Sequence, residues 1–241
     1  MTIHHFEVLE STQDLAHQLA AEGAEAGTAV VAVEQQAGRG TRGRGWSSAR
    51  GGLWLTVILR PATAGAVEGL SLRVGLEVAH CLERVAASPV PIRIKWPNDL
   101  MADDRKLGGI LCEARWLGDA PGWIAVGIGI NLTNQVPAEL RASAVALAEL
   151  GGQAEATDLV TPVVAAVVQA GERAGPLTEA ELAEFASRDW LRGRALVEPV
   201  VGRAAGVTAD ARLIVEQPTG ARTAVLGSVT LAALARDGGS R

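Results

Sequence analysis

Lysine is nearly missing from this chain of 241 residues: two occur, Lys95 and Lys106, against twenty arginines. On a solvated surface the two residues exchange freely, but a compact ammonium facing a phosphate or carboxylate does a different job from a planar guanidinium. Their places, in Lys95-Trp96-Pro97-Asn98-Asp99 and in Lys106-Leu107-Gly108-Gly109-Ile110-Leu111, therefore point to an anionic ligand, with a GC-rich coding bias as the competing explanation. Cysteine is equally scarce. Cys81 and Cys112 lie in apolar stretches without metal-ligand spacing, which excludes a zinc module and suggests thiols in a reducing compartment. There is no basic leader and no apolar run of membrane-spanning length, so a cytosolic, membrane-free protein is expected. A formal charge of −5 disfavours a general basic surface for nucleic acid, although a local arginine cluster could still hold an anion. What is present is a 48 % hydrophobic composition, enough for a sizeable core and a second, smaller unit.

Apolar runs rich in Val and Ile mark strands near 28–34, 54–59, 92–96, 107–114 and 123–130. A helix is expected from Ser11-Thr12-Gln13-Asp14, where a hydroxyl can cap, to about Gly23. Leu70, Val74, Val78, Leu82 and Val85 recur at helical spacing, and two more helices cover roughly 157–173 and 178–187. After Trp190 the texture becomes short β-like pieces, at 195–201, 204–207, 213–216, 223–225 and 228–231. This divides the chain into a domain over 1–190, a small β-barrel over 191–236 and a tail at 237–241.

Four segments carry chemistry. Gly38-Arg39-Gly40-Thr41-Arg42-Gly43-Arg44-Gly45-Trp46 follows a strand and alternates flexible backbone with guanidinium groups, a loop able to fold over an anion. A basic surface hairpin or an RNA tether would read the same way. In Lys95-Trp96-Pro97-Asn98-Asp99 the proline stops a ladder, leaving Asn98 and Asp99 in a turn where Asp99 could hold a divalent cation or merely form an Asx turn. Lys106 opens a strand whose Gly108-Gly109 pair lets a ligand lie against bare backbone, unless the glycines serve a bulge. Gly127-Ile128-Gly129-Ile130-Asn131 repeats that pattern with Asn131 as an amide donor and acceptor.

Gln35-Gln36-Ala37-Gly38-Arg39-Gly40, Lys95 to Asp99, Lys106 to Leu111 and Gly127 to Asn131, in that order, resemble the biotin protein ligase family over nearly the whole chain. The resemblance implies an α+β fold of the class II synthetase and biotin/lipoate ligase type on a seven-stranded sheet, with an SH3-like C-terminal barrel. It implies formation of biotinyl-5'-AMP from biotin and MgATP and transfer to a lysine of a biotin carboxyl carrier protein. By resemblance Ser11, Thr12, Gln35 and Gly38 serve biotin, and Gly109, Gly127 and Gly129 line its tunnel. Lys106 and Arg39 would hold the biotin carboxylate and the acyl phosphate, with Asp99 near Mg²⁺. Arg42, Arg44, Lys95 and Asn98 would face ATP, and Trp46 and Asn131 the adenine, with a plain core role as the rival reading of Trp46.

Two departures stand out. Many members carry Arg where this chain has Thr41, which implies a less tightly retained adenylate. The ligase pattern begins at 6–12, so the resemblance is to the monofunctional type without a DNA-binding module. The rival enzyme is a lipoate or octanoate ligase; against it, Ser11, Thr12 and Gln35 would lie unpaired beside an alkyl chain. A non-catalytic biotin-binding protein is the rival from another class. Family members include monomers and homodimers, and the apolar 53–59 segment could be a core strand or a dimer edge.

Overall fold

The computed structural model describes residues 1–86 and 90–232; the expected tail at 237–241 lies outside them. The larger unit is built on β1 (Ile3–Leu9), β2 (Ala29–Gln35), β3 (Gly52–Leu59), β4 (Arg93–Lys95), β5 (Asp99–Ala102), β6 (Arg105–Leu117) and β7 (Ala120–Asn131). These form a seven-stranded sheet in the order β1-β2-β3-β7-β6-β5-β4. Only β1 and β2 are parallel, joined by helix α1 (Thr12–Ala21); every other pairing is antiparallel.

Ser11 starts α1 by accepting the amide of Gln13 at 3.2 Å, and Gly23, at φ +97°, ends the segment where a side chain would be strained. One stripe of α1, Ala16 and Ala20, packs on Val30, Ile58 and Ala125. The opposite face of the sheet carries α2 (Leu70–Val85) and α3 (Ala156–Gly171) over the main core, which includes Leu53, Leu55, Val57, Ile110, Val126, Ile128 and Ile130. Helix α1 contacts β2, β3 and β7.

Sequence periodicity missed β1 and β5. His4, His5 and Glu7 interrupt the apolar alternation of β1, an edge strand whose alternate residues face water. Strand β5 is a four-residue return from β4, too short for a periodicity signal, and Asp99 opens it opposite Lys95 rather than sitting in the turn. The open question over 53–59 is resolved by pairing: β3 lies between β2 and β7 and is a core strand, not an edge.

Helix α4 (Glu179–Arg188) begins with a capping box in which Thr178 Oγ1 accepts the Glu181 amide at 3.2 Å and Glu181 Oε2 accepts the Thr178 amide at 2.8 Å. Buried Arg73 donates from Nε to Glu181 Oε1 at 2.9 Å, tying α2 to this end of α4. Burial pushes the Glu181 carboxyl up, but the bonds from Arg73 and Thr178 outweigh it and hold the pKa below the usual value. A Thr178→Ala change should cost about 1 kcal/mol, read as a lower urea midpoint with unchanged slope; an unchanged midpoint would show that Arg73 alone fixes this end.

The C-terminal unit holds β8 (Ala195–Glu198), β9 (Gly202–Val207), β10 (Leu213–Glu216), β11 (Arg222–Val225) and β12 (Thr230–Leu231) in the order β11-β10-β9-β8-β12. Leu196, Ala204, Leu213, Val215 and Val225 form its buried face. Its first strand stops at Glu198, before Pro199, which has no N–H to give a ladder. The indole N–H of Trp96 donates to the Ala211 carbonyl at 2.8 Å, and Arg194 Nη2 donates to Asp104 Oδ1 at 2.6 Å, so this unit docks against the β4–β5 end of the sheet. No helix among the described residues is long and apolar enough to cross a membrane.

Candidate active site

Where α1 leaves the sheet uncovered, β6 and β7 present backbone instead of side chains. Gly109 pairs with Gly129 and Leu111 with Gly127, which puts Gly109, Gly127 and Gly129 on one face. A cavity of about 330 Å³ lies above them. Its walls are the start of α1, the loop after β2, and residues 136–144, which are held by Lys106 N donating to Ser143 O at 2.7 Å.

Trp46 lies across this floor. A Cβ on Gly129 would fall 2.8 Å from the indole, and one on Gly109 3.3 Å from it, so a substituted strand could not seat the ring as it stands. The ring stacks edge-on to Trp54, with centroids 6.5 Å apart, and its Nε1 is buried with no partner among the described residues. The Lys106 ammonium sits 4.9 Å from the Trp46 ring centroid and 2.6 Å from Asp99 Oδ1.

One end of the cavity is a row of oxygens. Gln35 Oε1, Thr12 Oγ1, Thr56 Oγ1 and Gln13 Oε1 follow one another at 3.0, 2.9 and 3.2 Å. Both amides are oriented by their surroundings. Gln35 Oε1 accepts the Thr12 N–H at 2.8 Å, and Gln13 Nε2 donates to the Ala125 carbonyl and to Glu113 Oε2. Three oxygen–oxygen contacts thus share two hydroxyl protons, and one contact lacks a donor. The row is short of protons and would take an N–H from a ligand. Ser11 Oγ, beside it, is already the acceptor for Gln13 N, which leaves its proton free to meet a carbonyl.

The structure brings Ser11, Thr12, Gln35, Arg39, Arg44, Trp46, Asn98, Lys106, Gly109, Gly127, Gly129 and Asn131 to the cavity wall. Gly38, Arg42, Lys95 and Asp99 stand behind it or away from it. Gly38 is packed at the base of the loop, where a Cβ would meet Ser48 Oγ and the Trp46 carbonyl at 2.5 Å. Arg42 has left-handed backbone (φ 59°, ψ 36°) and turns outward to donate to Ser228 Oγ of the C-terminal unit at 2.6 Å. Lys95 is 3.9 Å from Asp99 Oδ2 and 5.6 Å from the Trp190 ring centroid, so Asp99 lies between the chain's two ammonium groups. Asn98 Nδ2 donates to the Ile110 carbonyl, and Asn131 Oδ1 accepts from Asn134. Among the described residues no three His, Cys, Asp or Glu side chains gather as a metal cluster. Cys81 and Cys112 are free thiols whose pKa burial raises.

Sequence reading missed Gln13, Thr56, Glu113 and the 136–144 wall. Thr56 carried a signal: it is the lone hydroxyl in the apolar run of β3 and is fully buried. Glu113 follows Gly109 and Leu111 at strand spacing, on the cavity face.

The family model for the biotin/lipoate A/B protein ligase family matches residues 5–131, more than half of the chain. The bifunctional ligase/repressor BirA of Bacillus subtilis (strain 168) is 39% identical over 156 residues, 63% of this chain and 47% of that protein. The biotin--[acetyl-CoA-carboxylase] ligase of Mycobacterium tuberculosis (strain ATCC 25618 / H37Rv) is 39% identical over 137 residues, 55% of this chain and 49% of that one. The chain thus spans under half the length of these curated relatives. Among solved structures, the biotin protein ligase from Aquifex aeolicus in complex with biotin and ATP superposes with a TM-score of 0.81 at 25% identity, over 96% of this chain and 99% of that one.

Proposed function

This chain belongs to the biotin/lipoate A/B protein ligase family, and from that membership we propose that it is an ATP-dependent biotin protein ligase that makes biotinyl-5'-AMP and passes the biotinyl group to a lysine of a biotin carboxyl carrier protein. The observation that carries the choice of biotin is the proton-poor row from Gln35 to Gln13. A ureido ring offers two N–H donors to such a row and a carbonyl to Ser11. A dithiolane offers neither, and would leave the buried oxygens unpaired at about 1–3 kcal/mol each.

In the first step a biotin carboxylate oxygen attacks the α-phosphorus of ATP and pyrophosphate leaves; in the second an acceptor lysine nitrogen attacks the acyl carbon and AMP leaves. Lys106 would face the carboxylate and then the acyl phosphate, with Arg39 and Arg44 adding donors, so that negative charge develops against fixed cations. The buried Nε1 of Trp46 is a donor without an acceptor, which a nucleotide could supply, and Asn131 lies on the same wall. Magnesium would arrive with its triphosphate. Asp99, a single carboxylate beside Lys106, would help hold that ion, which would shield the phosphate charge. Gly38 would keep the loop base closed, Asn98 and Lys95 would support the nucleotide side, and Arg42 would join the phosphates by leaving Ser228. The interior position of β3 removes it as the edge for a homodimer. Nothing in this reading calls on DNA or a membrane.

The test is exchange of labelled pyrophosphate into ATP with biotin, lipoate or neither. Exchange with biotin alone supports the assignment, and exchange with lipoate alone transfers the chain to the other branch of its family.

Thr41 gives a further expectation within this reading. Arg44 donates to the Thr41 carbonyl and hydroxyl at 3.4 and 3.2 Å, so this turn of the loop satisfies itself instead of offering another guanidinium to the cavity. Thr41→Arg should slow release of biotinyl-AMP about tenfold, the worth of one charge-assisted hydrogen bond, and reduce labelling of bystander lysines. Equal release rates from the two proteins would remove Thr41 from adenylate retention.

A further inference from the structure

Arg39, the guanidinium nearest the start of α1, is not free in space. Its Nη2 donates to Glu113 Oε1 at 2.8 Å, and its Nη1 pairs with Asp14. Glu113 is in turn held from behind. Its Oε2 accepts from Gln13 Nε2 at 3.0 Å and lies 3.2 Å from His17 Nε2. The other ring nitrogen of His17 is 2.9 Å from Trp123 Nε1. An indole N–H can only donate, so Nδ1 must accept and the ring proton must sit on Nε2, facing the carboxylate. Both lone-pair directions of Oε2 are thereby filled, and Oε1 is left to the arginine. His17, Glu113, Trp123 and Arg39 come from α1, β6, β7 and the loop, and the His17 side chain is 11% exposed against 23% for Glu113.

We propose that His17 is a positioning residue for Arg39, acting through Glu113, with Trp123 fixing the tautomer that keeps the carboxylate turned toward the guanidinium. This rests on the reading of Arg39 as a ligand of the biotin carboxylate. A solely structural cluster would pin α1 to β6 and β7 and affect stability. A positioning cluster also makes biotin binding depend on the protonation of His17. The charged groups facing the ring are Glu113 and Arg115 from β6 and Arg39 from the loop, while Asp14 on its own helix pairs with Arg39. Burial above all lowers the His17 pKa from 6.5, Arg115 and Arg39 add to that, and Glu113 opposes it. Protonation at low pH puts a proton on Nδ1, breaks the bond from Trp123, and partly neutralises Glu113, so Arg39 loosens. Biotin affinity should therefore be full at neutral pH and fall below pH 6.5.

The experiment is pyrophosphate exchange against biotin concentration from pH 5 to 8 in wild type, His17→Leu, His17→Gln and Trp123→Phe. His17→Leu should raise the biotin KM about five- to tenfold, with a smaller fall in kcat because Arg39 also faces the acyl phosphate, and His17→Gln, whose amide can donate to Glu113, should recover most of the loss. Trp123→Phe should move the acid limb of KM upward by roughly 0.5 pH unit or more, because the neutral ring has lost the donor that favoured it. Unchanged KM in His17→Leu, or an acid limb that stays in place in Trp123→Phe, overturns the proposal while leaving the ligase assignment intact. A wild type without biotin-dependent exchange overturns the assignment and this role together. If Trp123→Phe does not fold, nitrogen-15 NMR of the wild-type imidazole decides: an Nε2–H tautomer at pH 7 upholds the relay, and an Nδ1–H tautomer or a cation overturns it.

Discussion

Replacing Lys106 by alanine is expected to lower biotin-dependent pyrophosphate exchange by about 10²–10³-fold, the usual cost of deleting one fixed group aimed at transition-state charge. The ammonium has no substitute among the chain's lysines. Lys95, the other one, stands beyond Asp99 and toward the Trp190 ring, outside the cavity wall. The alanine variant also leaves Asp99 with Lys95 alone, 3.9 Å away, in place of its 2.6 Å partner, so a less well compensated carboxylate would stand where negative charge must build up. The protein itself should remain folded, since Lys106 is part-exposed and its strand position is fixed by backbone bonds to Ser143 and Val145. Lys106→Arg should restore little: a planar fork cannot occupy the position of a compact ammonium 4.9 Å from the Trp46 ring and still bond Asp99. Circular dichroism of each variant beside the exchange rate separates misfolding from lost chemistry. Exchange within threefold of wild type in a folded Lys106→Ala protein would move the charge stabilisation to Arg39 and Arg44.

How far the site can be read from sequence depends on how its parts are encoded. The glycine pairs and Lys106 are local signals: alternation along β6 and β7 puts Gly109, Gly127 and Gly129 on one face, and antiparallel pairing then aligns them. Long helices and the central strands follow from periodicity for the same reason, since burial on one face repeats along the chain. Contacts across the fold leave no such trace. Gln13 meets Glu113 from one hundred residues away, and His17 meets Trp123 from 106 away, so the network under Arg39 exists only after α1 docks on the sheet. Short elements fail differently. Strand β5 has four residues and returns directly from β4, so its pairing partners rather than its composition decide it. Arg42 shows a third limit. Its spacing in the loop matches that of Arg39 and Arg44, but left-handed backbone sends its side chain to Ser228 instead of the cavity.

Substituting Gln35 by methionine should raise the biotin KM about 100-fold, and this variant tests the proton-poor row directly. The amide does three things at once. Its oxygen accepts the Thr12 N–H, a first-turn donor of α1, at 2.8 Å, and it receives Thr12 Oγ1 at 3.0 Å. Its nitrogen donates to Ser48 Oγ at 2.7 Å, and Ser48 donates on to the Trp46 carbonyl, so the same side chain anchors the loop. Methionine fills similar volume without any of these bonds. It leaves the Thr12 amide buried and unpaired, which lowers stability, and it leaves a ureido N–H buried without its acceptor, a binding loss of up to about 3 kcal/mol. Ser48→Ala isolates the loop anchor, because it removes one hydroxyl at the loop base and leaves the row of oxygens intact; its effect on biotin KM should stay under about tenfold. Calorimetric binding of biotin and of lipoate to both variants completes the comparison. If the methionine variant binds biotin as tightly as wild type, the ureido ring does not lie on this row, and the choice between biotin and lipoate loses its structural basis. If instead biotin is lost and lipoate gains, the row is the element that separates the two branches of the family in this chain, because an apolar wall then accepts the ligand that has no N–H to offer.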